Sequence, residues 1–193
     1  VTLLLLTGTP YSRYFDGAQF VHFLLGPTTV ALAIPIYKGN ASLKSRMLVL
    51  LLALLAGGLT SIATAVGVAY ALGVDASLVQ ALVAKSVTAP IAMGIAERVQ
   101  ASPTLTAIFA VSTGILGAVL GRYVLNGLHV TPWWQRGFAL GVAAHGIGTS
   151  RAFSVHPEAG AYASLGMGLL LAAATGSGTS TLVSGSTYQQ NFV

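Results

Sequence analysis

AKSVTAPIAMGIAER, Ala84 to Arg98, is the stretch whose reading decides the fold. It sets a lysine, two hydroxyl residues and a proline inside what otherwise reads as one membrane-spanning segment. A charge at the bilayer centre costs roughly 2.5 to 3.5 kcal/mol on insertion scales, so Lys85 needs a protein-lined or wet environment. Pro90 removes a backbone donor and disfavours the α region for Ala89. The helix is therefore expected to break near Thr88 and Ala89 and to restart with Pro90 as its first helical residue. The restart exposes N–H groups and the positive end of a helix dipole, and with Lys85 and Ser86 nearby this attracts anions at membrane depth. The alternative for the same residues is a lysine that snorkels to an interface beside an ordinary proline kink.

A second interruption favours the site over the kink. GFALGVAAHGIGTSRAFS, Gly137 to Ser154, runs as an apolar helix to Ala144 and then meets His145, Gly146 and Gly148, followed by Thr149, Ser150 and Arg151. The glycines let the backbone unwind, and Thr149 or Ser150 can cap a new helix start with free N–H groups. Two interrupted segments in corresponding places of two halves point to the central binding site of a secondary transporter. Each break carries one basic side chain, Lys85 or Arg151, and neither carries an acid, so the ligand expected is a small anion such as a carboxylate. His145 could couple passage to a proton, or could be structural and donate to a backbone carbonyl.

Composition sets the frame around these breaks. Of 193 residues, 54% are hydrophobic and 7% charged, against about 25% charged in soluble domains. Apolar runs of about 20 residues without period-2 alternation make this an all-α integral membrane protein rather than a barrel. There is no cysteine, hence no disulfide or thiolate metal site. The net charge of +5 is spread over loops without a basic stripe or aromatic-basic interleaving, which excludes nucleic-acid binding. No G-x-S-x-G, H-E-x-x-H, P-loop or paired carboxylates occur, and Gly146-Ile147-Gly148 lacks the third glycine of a dinucleotide loop. His145 and Ser150 have no intramembrane acid to orient them. An enzyme is not expected, nor a cofactor.

Along the chain, VTLLLLTGTP reads as the tail of a truncated helix, and a run from about Ala18 to Tyr37 contains Gly26 and Pro27, which should bend it. Lys38, Lys44 and Arg46 mark a cytoplasmic loop. A span follows from about Met47 to Leu72, then the broken segment from about Ser77 to Arg98, expected to return to the cytoplasm. The next span runs from about Thr104 to Leu125, with a close-packing Gly117-x-x-x-Gly121 face. The Trp133–Trp134 loop reads as an outer interfacial anchor flanked by Arg122 and Arg136, with Arg151 back inside. A last span covers about Ala159 to Ala174, with Gly160, Ser164 and Gly168 spaced for packing. Residues 1–175 form one membrane domain, and the Ser/Thr/Gly-rich 176–193 reads as a disordered tail.

The segments AKSVTAPIAMGIAE, AAHGIGTSRAF, FLLGPTTVALAIPIYK and LTAIFAVSTGILGAVLG together resemble the LrgB/CidB family, from about Tyr11 to Leu171. By position, Lys85, Ser86, Thr88 and Pro90 match the first family motif; His145, Gly146, Gly148, Thr149 and Arg151 match the second. The resemblance implies a multi-pass bacterial inner-membrane protein, antiholin-like or holin-like, that regulates murein hydrolase activity and cell lysis. It also implies transport of a monocarboxylate such as pyruvate or glycolate, since relatives include the plastidial glycolate/glycerate translocator of plants. Two departures are the truncated start at Val1 and the polar run after Thr175. The expectation is thus a transmembrane helical bundle with two discontinuous helices and an inverted-repeat, transporter-like architecture. Its partners would be the lipid bilayer, a small carboxylate, a holin-like membrane protein of the LrgA/CidA type and further copies of itself. The competing expectation is a non-transporting regulator acting through that holin-like partner.

Overall fold

The computed structural model describes residues 40–175, with Thr7, Gly8, Arg13 and Gly17 as isolated positions. The expected bend at Gly26 and Pro27, the loop residue Lys38 and the tail after Thr175 lie outside the described residues. Within them the chain is all helical: α1 (Asn40–Ala71), α2 (Ala76–Leu82), α3 (Ala89–Arg98), α4 (Pro103–Gly127), α5 (Trp133–Val155) and α6 (Pro157–Thr175). Ser45–Ala71 and Pro103–Gly127 are long and apolar enough to cross a membrane, with mean hydropathies of 2.2 and 1.8. Much of their apolar surface is exposed, Leu48, Leu59, Leu116 and Val119 among it, as suits helices bathed in hydrocarbon.

Local signals set the helix ends. Gly73 at φ +69° closes α1, with Val74 N–H reaching back to the Ala69 carbonyl at 3.0 Å and Gly73 N–H to Tyr70. Ser102 caps α4, its Oγ accepting from Leu105 N–H at 3.4 Å, and Pro103 occupies the first turn where no donor is needed.

Direction follows from close contacts. On α4, a Cβ added at Gly114, Gly117 or Gly121 would strike His145, Ala144 and Leu140 respectively, at 2.5–2.7 Å. α4 therefore runs antiparallel to the first limb of α5, and the expected Gly117/Gly121 face is used for close approach. α1 runs parallel to that limb, since Arg46 stacks over Trp134 at 4.7 Å and Gly57 lies opposite Val142. In the core between them Leu50 and Leu54 pack with Phe138, Val142 and Tyr162. α6 is parallel as well: Gly137 faces Ala159 and Gly141 faces Ala163, backbone against backbone. On α6 Ala159 and Ala163 take the backbone contact with the first limb, while Gly160 packs against Phe153 and Ser164 is buried, as the expected small-residue face requires; Gly168 meets nothing within 4 Å.

Both interrupted segments reverse the chain, which corrects the expectation that each crosses the bilayer. In α5 the reversal is at Ala144 (φ −128°, ψ 16°) and His145 (φ 40°, ψ −132°). Gly148 consequently lies against the Leu140 carbonyl, eight residues earlier, where a straight helix would separate them by about 12 Å. The two limbs of α5 form a hairpin that starts and ends beside Arg46. α2 and α3 form the other hairpin: only Leu72–Asp75 separate α1 from α2, and α3 leads into α4 through only Val99–Ser102. Ala84, Val87, Ala92 and Ala110 close its core. Neither limb, 7 and 10 residues long, reaches the roughly 20 residues a crossing needs.

The charges are redistributed accordingly. Arg46, Arg122, Arg136 and Arg151 fall at one end of the bundle, and Asp75, Glu97 and Arg98 at the other. The Trp133–Trp134 loop, expected opposite Arg46, shares its end. The sequence count assumed three crossings between them, whereas α1 and α4 supply two.

Candidate functional site

The tips of the two hairpins meet. A Cβ on Gly146 would sit 3.8 Å from Thr88 Cγ2 and 4.0 Å from Met167 Sδ, so the two breaks and α6 converge at one depth. Lys85 lies in the first tip, half-buried, and its Nζ donates to Ser61 Oγ at 2.9 Å and to Ser86 Oγ at 3.3 Å. The two hydroxyls are 3.1 Å apart. An ammonium has three N–H donors, so one remains for a ligand after these two. α1 therefore contributes a site residue, Ser61, that no sequence motif marked; its only signal was a polar pair, Thr60-Ser61, within an apolar span.

Thr88 (φ −60°, ψ 140°) is the extended residue just before α3, whereas Ala89, expected to be pushed out of the α region by Pro90, is the first residue of the helix. Helix α3 opens at Ala89 with Pro90 second, one residue earlier than expected. The Thr88 carbonyl takes the N–H groups of both Ile91 (3.0 Å) and Ala92 (2.9 Å). With Pro90 lacking a donor, Ala89 alone can offer the helix-start N–H to an anion. Of the two features expected to draw an anion here, Lys85 keeps a donor to spare whereas the helix start keeps a single N–H.

The second tip is held from inside the bundle. His145 is 4% exposed, and its Nε2 is 2.8 Å from the Ala110 carbonyl. A carbonyl only accepts, so Nε2 carries the proton and the structural role foreseen for His145 is occupied. Thr149 is fully buried and donates to the His145 carbonyl at 2.8 Å. It sits one turn inside the returning limb instead of capping it, because the reversal comes earlier, at Ala144–His145. Gly148 serves the close approach of the two limbs rather than unwinding them. Thr149→Val keeps the volume but removes this bond, which should cost about 1 kcal/mol. A thermal midpoint lowered by about 2–4 °C in detergent is the expected result.

Ser150 and Arg151 do not join this cluster. Both are exposed, and Arg151 donates to Ser154 Oγ at 3.2 Å and lines a different cavity with Arg122 and Arg136. Lys85, Ser86, Thr88, Pro90, His145, Gly146, Gly148 and Thr149 are brought to the two tips. A groove of about 470 Å³ between α1 and α5 runs from Val49 and Trp134 to Ser61 and Ala143, linking the Arg46 end to the hydroxyl that Lys85 holds. Among the described residues no cluster of His, Asp and Glu could hold a metal ion.

The chain is similar to proteins known from sequence. It is 38% identical to YwbG of Bacillus subtilis (strain 168), an uncharacterized protein, over 86% of this chain and 74% of the relative. It is 32% identical to YxaC of the same organism, also uncharacterized, over 88% of this chain and 74% of that one. The holin-like protein CidB of Staphylococcus aureus (strain Mu50) shares 27% identity over 86% of this chain and 73% of its own length. No solved structure matches. The model of the LrgB-like family matches residues 1–183, so the chain belongs to the LrgB-like family.

Proposed function

We propose that this protein is a multi-pass inner-membrane transporter of small monocarboxylates, glycolate or pyruvate in kind, with its binding site where the two hairpin tips meet. The observation that carries the reading is the Lys85–Ser61–Ser86 group beside the Thr88–Gly146 contact. A cation and two hydroxyls stand there in place of hydrocarbon, at the middle of helices long enough to span a bilayer. Hairpins that enter from opposite ends and touch at mid-depth, each following one long helix, have the form of an inverted repeat, the arrangement that allows alternating access around a fixed site. The Arg-rich end would face the cytoplasm by the positive-inside rule. Saturable uptake of radiolabelled pyruvate, glycolate or lactate into proteoliposomes tests the reading, and no uptake of any of them by folded, reconstituted protein would refute it.

Topology can be tested separately, because the chain has no cysteine of its own. Single replacements Asp75→Cys and Arg98→Cys should react with an impermeant maleimide from one face of the membrane, and His129→Cys and Ser154→Cys from the other. Labelling of positions 75 and 98 from opposite faces would mean that α2 and α3 cross the bilayer after all.

A second reading is favoured by the name of one relative, the holin-like protein CidB. In it the protein regulates murein hydrolase activity and autolysis through a holin-like membrane partner or further copies of itself, with the tips serving packing alone. Co-purification of such a partner, together with lysis phenotypes that persist in Lys85→Ala, would select it.

A further inference from the structure

At the Arg46 end, Arg122 of α4, Arg136 on the first limb of α5 and Arg151 on its second limb line one cavity of about 430 Å³. Among the described residues no carboxylate lines it; Glu158, one residue from the lining Ala159, is not part of the wall. The hairpin reversal creates this arrangement, since Arg136 and Arg151 would stand about 22 Å apart along a straight helix. Little of their hydrogen-bonding capacity is spent. Arg136 gives one N–H to the Val130 carbonyl at 2.8 Å and lies over Trp133, and Arg151 gives one to Ser154. Arg122 lies over the ring of its neighbour Tyr123 and makes no hydrogen bond among the described residues. Each guanidinium has five N–H donors in a planar fork suited to phosphate oxygens. Three cations on one cavity, with no carboxylate of the described residues among them, repel one another unless an anion joins them.

We propose that this cavity is a phosphate-binding site that takes the phosphodiester headgroup of an anionic phospholipid. Apart from Asn126 and Thr131 the remaining wall is apolar, with Leu125, Leu140 and Val155 among it, so it can accept the glycerol and first methylenes beneath a headgroup. Its place in the last turns of the long apolar helix α4 and beside the interfacial ring of Trp133 puts it at headgroup level. A phosphate bridging the three arginines ties α4 to both limbs of the second hairpin and so steadies the base of that hairpin. The site rests on the bilayer reading of α1 and α4 but does not depend on carboxylate transport.

The test uses the full chain purified in a non-ionic detergent, its thermal unfolding followed while dioctanoyl phosphatidylglycerol, dioctanoyl phosphatidylcholine or glycerol 1-phosphate is added. Phosphatidylglycerol is expected to raise the midpoint by several degrees in a saturable way, and phosphatidylcholine, whose phosphate is neutralised by its own cation, is not. The double variant Arg122→Gln with Arg151→Gln should weaken the phosphatidylglycerol response at least tenfold, whereas Arg98→Gln, the same kind of charge loss at the other end, leaves it intact. Ala118→Leu, which fills the cavity without changing charge, should weaken it too and decides the matter if the double variant does not fold. An equal response to glycerol 1-phosphate would support the phosphate site and assign it to a soluble ligand. The proposal is overturned if no phosphate compound shifts the midpoint, if the response survives both cavity variants, or if Arg98→Gln loses as much.

Discussion

Lys85→Ala should lower the apparent affinity for a transported monocarboxylate by about 10- to 100-fold in proteoliposomes. A hydrogen bond to a charged group contributes about 1.5–3 kcal/mol, and each 1.4 kcal/mol is about a factor of ten in affinity. No other cationic side chain is brought to the hairpin tips among the described residues, so nothing substitutes for it. Folding should survive, because alanine removes a half-buried charge along with its two serine contacts rather than stranding it. Lys85→Arg should restore uptake poorly, since the larger planar guanidinium does not fit the geometry that holds a compact ammonium between Ser61 and Ser86. The readout is concentration-dependent uptake of radiolabelled glycolate and pyruvate, with Arg98→Ala as a control far from the tips. Unchanged uptake in Lys85→Ala would remove the site from the hairpin tips.

Gly141→Ala should be among the most destabilising single changes in the protein. A Cβ there would run into the Ala163 carbonyl and stand 2.7 Å from its Cα, and backbone cannot swing aside as a side chain can. The first limb of α5 and α6 must separate, which unpacks Ala152, Ala159 and Ala163 together. Overpacking costs typically about 1–3 kcal/mol and occasionally more; backbone contact places this case at the upper end. That corresponds to a midpoint lower by about 6–12 °C. Gly168→Ala, with nothing within 4 Å, should instead be neutral or slightly stabilising, as expected for removing a glycine from a helix. Equal melting of Gly141→Ala and the parent protein would mean that the two helices are not in backbone contact.

The two breaks were legible in the sequence because their causes are local. Pro90 has no N–H and is tolerated only in a helix's first turn, so a helix must restart just ahead of it; the extended residue is Thr88, one position before the Ala89 that a proline restricts directly. Glycines at 146 and 148 beside a polar run mark the second break in the same way, although their spacing leaves the turning point uncertain by several residues. The reversal falls on His145, at φ +40°, a conformation a non-glycine residue adopts at a cost of about 1–3 kcal/mol. Its bond to the Ala110 carbonyl on another helix, with Thr149 donating to its own carbonyl, holds it there. Ser61 was missed for a related reason: its partner Lys85 is 24 residues away, and a serine in an apolar run carries no periodic signal.

Helicity, membrane-spanning length in α1 and α4, the presence of both breaks to within a few residues and the cationic character of the first are properties of short stretches, legible from the sequence before any fold was known. Whether each broken segment continues across or folds back depends on contacts between distant residues, Gly148 on Leu140 and Gly137 and Gly141 on Ala159 and Ala163. The energies of the two paths differ only through that packing. Tertiary structure alone therefore decided that Thr88 meets Gly146, that Lys85 is held by Ser61, and that Arg151 leaves the tips to join Arg122 and Arg136.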